Sequence, residues 1–465
     1  MRFVGTRVGS SHGATMNTKQ TKINHRAASL IETLENRRLL ATFIVTTTSD
    51  TGAGSFRDAL SKANRTTVSD VIQFKIGTGA KTITPNSVLP YVQYPVTIDA
   101  TTQPGYAGRP LIEVRGDKAG TSANGLNIGA GNSTVRGLII NRFNKVGILL
   151  VRSGNNKIVG NWIGLTNTGA SAAGNKTKGI VVQASGNTIG GTDVRDRNVI
   201  SGNTSLGIQL YTSAAQSNII LGNYIGTNVA GTSAVPNTTS GIGIQGGIKN
   251  TIGGTTVGSR NVISGNLQDG VVVNNPSSDN IVVGNYVGLN AAGSAAIGNG
   301  WYGIETSSAR TIIDRNVVSG NKYSGVVLWL SSSNASKVTN NFIGTDKDGK
   351  YSVANQWNGV DISNGSSNNL VQNNLISGNW RSGVLSYQGS NNTIDKNVMG
   401  FAVDRQSKLH NGLDGIRKSF TTGIRITGNL IGNNLGYGVF RGSASTIAVF
   451  SGNTIINDAL FNVPL

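Results

Sequence analysis

The chain has 465 residues, no Cys, 64 Gly, only 13% charged residues and a formal net charge of +19. Without Cys there are no disulfides and no thiolate metal sites. Gly at about twice its usual share, with so few charges, excludes an ordinary helical protein, because Gly weakens helices and helical surfaces need charge. Val and Ile recur in short bursts, which excludes a disordered chain. No stretch approaches about 18 apolar residues, so no membrane-spanning helix is expected.

Residues 1–41 differ from the rest. They hold seven Lys/Arg and two Glu, and His12 and His25, two of the three His. Arg26–Ala41 is amphipathic and lacks the long apolar run of a standard signal peptide. Leu34-Glu35-Asn36-Arg37-Arg38-Leu39-Leu40-Ala41 resembles the LEPRRLLA-type motif at the start of exported planctomycete proteins, with Asn36 where Pro is usual. The resemblance implies a targeting segment over 1–41 and an exported, extracellular or surface-borne protein. Without this segment the surplus is still +14.

Residues 42–124 form the lead-in. Ser55–Ala63 is predicted to be a short amphipathic helix that caps an open first turn. An uncovered end would present unpaired strand edges and apolar core.

Residues 125–465 repeat. The phrase GNWIG at Gly160–Gly164 returns as GNYIG at Gly222–Gly226, GNYVG at Gly284–Gly288, NNFIG at Asn340–Gly344, KNVMG at Lys396–Gly400 and GNLIG at Gly428–Gly432. A second phrase, RNVISGN at Arg197–Asn203 and Arg260–Asn266, interleaves. Twelve short strands begin with Gly, from Gly125 to Gly438, most as Gly-(Ile/Val/Leu)-x-apolar-x. Alternation sends one side chain inward and the next outward. Gly and Asn at the strand ends supply turns with left-handed backbone angles. A unit of about 24 residues cannot bury its own apolar face, so the units stack and pair their strands in parallel. The expectation is an all-β solenoid of about twelve turns, about 55–60 Å long.

These phrases resemble the right-handed parallel β-helix repeats of the pectate-lyase-like superfamily, as found in large bacterial surface proteins. Thr42–Asn64 and Ile98–Val114 resemble the entry segments of those proteins. The resemblance implies a right-handed parallel β-helix with an N-terminal lead-in.

Outward residues at one strand position form a row, and it contains two carboxylates, Glu305 and Asp361, two turns apart. Backbones two turns apart lie about 9–10 Å from each other, and inverting glycoside hydrolysis uses carboxyls about 6.5–9.5 Å apart. Both are therefore candidate catalytic residues. Further along the strands come Tyr211, Trp329 and Tyr387. The preceding turns add Trp301, Tyr302, Tyr323, Trp357 and Trp380, and Arg381 and Arg417 lie nearby. Flat rings beside polar groups suit sugar rings. Of these, Tyr211, Trp301, Tyr323, Trp329, Trp357, Trp380, Arg381, Tyr387 and Arg417 are the candidate substrate-binding residues. Five loops of twelve residues, the first Gly164–Asn175 and the last Gly400–Asn411, are expected to wall this face.

No cofactor is called for. Gly344–Ser352 has a partial Asp-x-Asp-Gly pattern of a Ca²⁺ loop, but it occupies a position shared by all five loops, so turn chemistry explains it. His410 is the only His beyond residue 41, which excludes His triads and multi-His metal sites. No Lys/Arg run of four and no nucleic-acid module is present. The leading expectation is a monomeric, exported protein that binds polysaccharide, and a basic surface favours anionic chains. One alternative is a polysaccharide hydrolase or lyase in the same groove, and another is a non-enzymatic spacer or adhesin.

Overall fold

The computed structural model describes residues 40–461, so the targeting segment expected over 1–41 lies almost entirely outside the described residues. Three parallel sheets run side by side along residues 42–461. The first has 15 strands, from Thr42–Val45 to Ile447–Ser451; the second has 14, from Lys81–Ile83 to Thr454–Ile456; the third has 13, from Leu126–Ile128 to Ala459–Phe461. From the coil that begins at Val96–Asp99 onward, each coil contributes a strand to each sheet, and the strands pair in parallel, with one register shift, between Ile424 and Arg425.

The sheets give about fourteen coils, not twelve. The strand-initial Gly marks only the third sheet, and the lead-in supplies strands Asp70–Phe74, Lys81–Ile83, Val96–Asp99 and Ile112–Arg115 to the other two. A helix, Phe56–Ala63, forms with Ser55 as N-cap, its side chain accepting from Asp58 N. Phe56, Ala59, Leu60 and Ala63 are buried in the main core, where Phe56 meets Phe74 at 5.4 Å between ring centroids.

The interior follows the alternation. Ile180, Ile208, Ile242, Ile304 and Val360 occupy one inward file, joined through Val271 and Val326, and all are fully buried. Burying each such side chain contributes about 1.5–3 kcal/mol.

Some Asn do take the left-handed turn angle, Asn340 and Asn373 of the repeat phrases among them, but the central Asn of each phrase do something else. They are buried and stacked in columns. In one column Asn161, Asn198, Asn223, Asn261 and Asn285 each donate from Nδ2 to the Oδ1 of the next, at 2.9–3.1 Å. A second column runs through Asn175, Asn203, Asn237 and Asn266. The left-handed angle falls on the residue before, as at Gly160, Gly222 and Gly284. The strand-initial Gly answers to crowding. A Cβ at Gly241 would lie 2.8 Å from the Gly270 carbonyl and 2.9 Å from Asn266 Nδ2.

The five twelve-residue loops each close on an antiparallel bridge, such as Leu165 with Ala172 and Thr227 with Ala234. Each bonds to the next: Ala291 N donates to Gly231 O at 2.9 Å and Lys347 N to Gly293 O at 2.8 Å. They pack on the outer face of the second sheet, where Leu165, Val235 and Leu289 join Trp162, Val199, Val262 and Tyr286 in buried clusters. The expected wall over the third sheet is therefore a cover over the second. Loop apolar residues find Trp162 and Tyr286 to bury, at 8% and 4% exposure. In the Asp-x-Asp-Gly loop, Asp346 Oδ1 accepts from Lys350 N and Tyr351 N, at 2.8 and 3.1 Å. Asn290 Oδ1 does the same for Ser294 N and Ala295 N in its own loop.

Candidate ligand-binding site

The outer face of the third sheet carries the expected row. Val272, Glu305, Val327, Asp361, Leu385 and Arg417 are neighbours in successive strands. Glu305 and Asp361 thus flank Val327, two coils apart.

A cavity of about 430 Å³ opens here, lined by Trp301, Tyr302, Glu305, Tyr323 and Trp329. Trp301 and Tyr323 come from turns in adjacent coils, with Tyr323 N donating to Trp301 O at 3.1 Å. They stay 47% and 45% exposed. Trp329 ends the strand Val326–Trp329. Tyr302 and Tyr323 meet edge to face, 5.8 Å between centroids, and Tyr323 lies 6.3 Å from Trp357. The guanidinium of Arg381 stacks 3.4 Å over Trp357 and closes the series.

The other candidates scatter. Tyr211 is exposed at the end of its own strand, four coils before Trp329, or about 19 Å along the axis. Trp380 borders a separate cavity of about 370 Å³ with Lys408 and His410. Tyr387 packs edge-on against Phe420. Arg417 pairs with Asp414 at 3.0 Å and stacks on Phe440.

Two participants escaped selection from the sequence. Tyr302 stands among the turn aromatics, and Asp269 was not singled out. Both directly precede a strand-initial Gly, and Tyr302 N donates to Asp269 Oδ1 at 3.1 Å. Ser240 Oγ donates to Asp269 Oδ2, also at 3.1 Å.

The local electrostatics oppose the chain's overall charge. Burial, helped by Asp269, pushes Glu305 up to about 7. Burial pushes Asp269 up to about 6, against its two hydrogen bonds. Asp361 is 8% exposed and is also pushed up by burial, although Ser363 Oγ and Asn358 Nδ2 donate to it. The phenol of Tyr302 is pushed up to about 12, first by burial and then by Asp361, Glu305 and Asp269. Among the described residues no Lys or Arg forms an ion pair with any of these three carboxyls.

Comparison with known proteins bears on the fold. Residues 352–462 match the family model described as periplasmic copper-binding protein (NosD). Copper favours thiolate, thioether and imidazole ligands. Within that stretch His410 is exposed, Met399 is buried in the core, and no group of three or more His, Cys, Asp or Glu side chains is placed to hold a metal among the described residues. The residues do not fit a copper site. No curated protein matches the chain. Solved structures similar to it include the mannuronan C-5 epimerase AlgE4 A-module of Azotobacter vinelandii, at 15% identity over 91% of this chain and 98% of that one, TM-score 0.43. The periplasmic alginate epimerase AlgG is 14% identical over 85% and 84%, TM-score 0.43. The Dettilon tailspike protein is 14% identical over 88% and 66%, TM-score 0.39. Residues 164–343 match the family model described as right handed beta helix region, and with its three parallel sheets the chain is a right-handed parallel β-helix.

Proposed function

We propose that the protein binds polysaccharide non-covalently along the outer face of the third sheet, with one sugar unit seated between Trp301 and Trp329. The carrying observation is the cavity of about 430 Å³ whose lining is four aromatic rings and one carboxyl. Ligand sites are mostly apolar, with a few polar groups that fix orientation, and their volumes run from about 300 to 1,000 Å³. Aromatic faces exposed on neighbouring coils offer stacking that a packed core does not. Trp357, Arg381 and Tyr387 extend the face towards the C-terminal coils, so a chain of several units could run along the axis.

The basic surplus of the chain would draw anionic polymers towards the surface at large, but the cavity itself holds a carboxyl and no base, so a uronate there would add a further carboxyl with nothing to pair it. Binding fits the carboxyls better than hydrolysis. A glycosidase needs one carboxyl held protonated and one held ionised, whereas burial pushes Glu305 and Asp361 in the same direction. The targeting motif and the periplasmic description of the family matched over 352–462 support a place of action outside the cytoplasm.

Titration calorimetry of the chain against a panel of neutral, acidic and basic polysaccharides tests this. The double change Trp301→Ala, Trp329→Ala should weaken the best binder at least tenfold with thermal stability retained, since stacking contributes about 1–3 kcal/mol per ring and 1.4 kcal/mol is tenfold. Equal affinity in the double variant would leave the spacer reading.

A further inference from the structure

We propose that the cavity is an ammonium site, and that the sugar it holds is a 2-amino sugar with a free amine, a glucosamine-type unit of a polysaccharide. The inference rests on the reading of this face as polysaccharide-binding and adds the chemical class.

The lining contains four π-faces and no basic group: Trp301, Tyr302, Tyr323 and Trp329 surround Glu305. Ring faces attract a cation, Trp most strongly. Behind them stand Asp269 and Asp361, close enough that both act on the Tyr302 phenol together with Glu305. A chain with a surplus of +19 has bases to spare, yet none is paired with these carboxyls. Two other carboxylates withdrawn from solvent do have a base: Asp50 has Arg57 at 2.8 Å, and Asp414 has Arg417 at 3.0 Å. Glu305 also accepts no hydrogen bond from any described residue, whereas Asp269 and Asp361 do.

Three classes of sugar can be weighed against that lining. A uronate would bring a fourth carboxyl into the same water-poor space. A neutral sugar would leave Glu305 without a counter-charge. An ammonium supplies charge and three N–H donors at once, while the pyranose ring gives the flat faces of Trp301 and Trp329 something to stack on. The volume suits a sugar unit rather than a bare ion.

The experiment is calorimetry near neutral pH on the full chain with three oligosaccharides of equal length: β-1,4-glucosamine, its N-acetylated form, and β-1,4-glucose. The glucosamine oligomer should bind at least tenfold tighter than either of the others. Glu305→Gln should erase most of that preference, while Trp329→Ala weakens all binding. The comparison of ligands on the unaltered protein needs no variant, so a folding defect in Glu305→Gln would not hide the answer. Equal or tighter binding of the acetylated or the neutral oligomer overturns the ammonium site and leaves polysaccharide binding standing. Tighter binding of a uronate oligomer in the wider panel does the same. If no polysaccharide binds, both readings fall.

Discussion

Two outer faces of the same solenoid carry aromatic residues at repeating positions, and they have opposite fates. On the second sheet, Trp162, Tyr224, Tyr286 and Phe342 recur every second coil. Loops fold over them, and Arg197 and Arg260 stack on Tyr224 and Tyr286 at 4.1 and 4.2 Å. On the third sheet, Trp301, Tyr323 and Trp329 have no loop above them and lie beside carboxyls. An aromatic row is therefore not in itself a site. The second-sheet row is the floor of a buried layer. The third-sheet row is left open beside buried carboxyls without bases, at a cost that a ligand could offset.

The contrast can be broken by truncating one ring on each face. Tyr286→Ala should cost about 3 kcal/mol or more, because it removes a buried ring from under the loops. Trp301→Ala should stay within about 0.5 kcal/mol, as exposed substitutions do. Chemical denaturation of both variants checks this, and similar losses would erase the distinction. The acidity of the open face gives the next effect. Glu305 rises from 4.5 to about 7 and Asp269 from 3.8 to about 6 on folding. Over those ranges the folded chain holds more protons than the unfolded one, so these groups make stability fall as pH rises from about 4 to 7 and recover on acidification. Glu305→Gln should flatten the upper part of that slope, between about pH 5 and 7, and melting temperatures across pH measure it. A smaller loss than that of Tyr286→Ala is expected from its stacking partner on the covered face. Arg260→Ala should lose about 1 kcal/mol with its stacking on Tyr286, and the same scale of loss in thermal unfolding would sharpen the view that arginines there are structural.

Much of the fold was legible because repetition makes register visible. The spacing of strand-initial Gly places Glu305 and Asp361 in one row, two turns apart, as the strands then pair them. The alternation holds even where it is chemically awkward: Lys418 falls at an inward position and is fully buried. What stayed hidden is what depends on the third dimension across coils. Nothing in a one-dimensional repeat says on which sheet a loop will lie, so the expected wall over the third sheet turns out to be a cover over the second. The two extra coils lack the Gly mark because they add strands to the first two sheets only, and the mark belongs to the third. Asp269 carries no site signal in the sequence, because a carboxyl just before Gly270 reads as a turn residue. Only the turn of the next coil, bringing Tyr302 N onto Asp269 Oδ1, places it behind the cavity lining.

The Asn columns have one further consequence. Their bonds to one another all run the same way: within the column each side-chain amide donates to the Asn of the higher-numbered coil, through Asn355, Asn379 and Asn411 to Asn434, while its other N–H holds a backbone carbonyl of the coil before. Backbone dipoles of neighbouring strands contribute little net field along such an axis, but aligned side-chain amides add head to tail, as peptide units do in a helix. The solenoid thus has an electrical direction, with amide hydrogens pointing out at its C-terminal end. There the last amide of this column, Asn434, donates 2.8 Å to the carboxylate of Asp458, a negative charge at the donor pole.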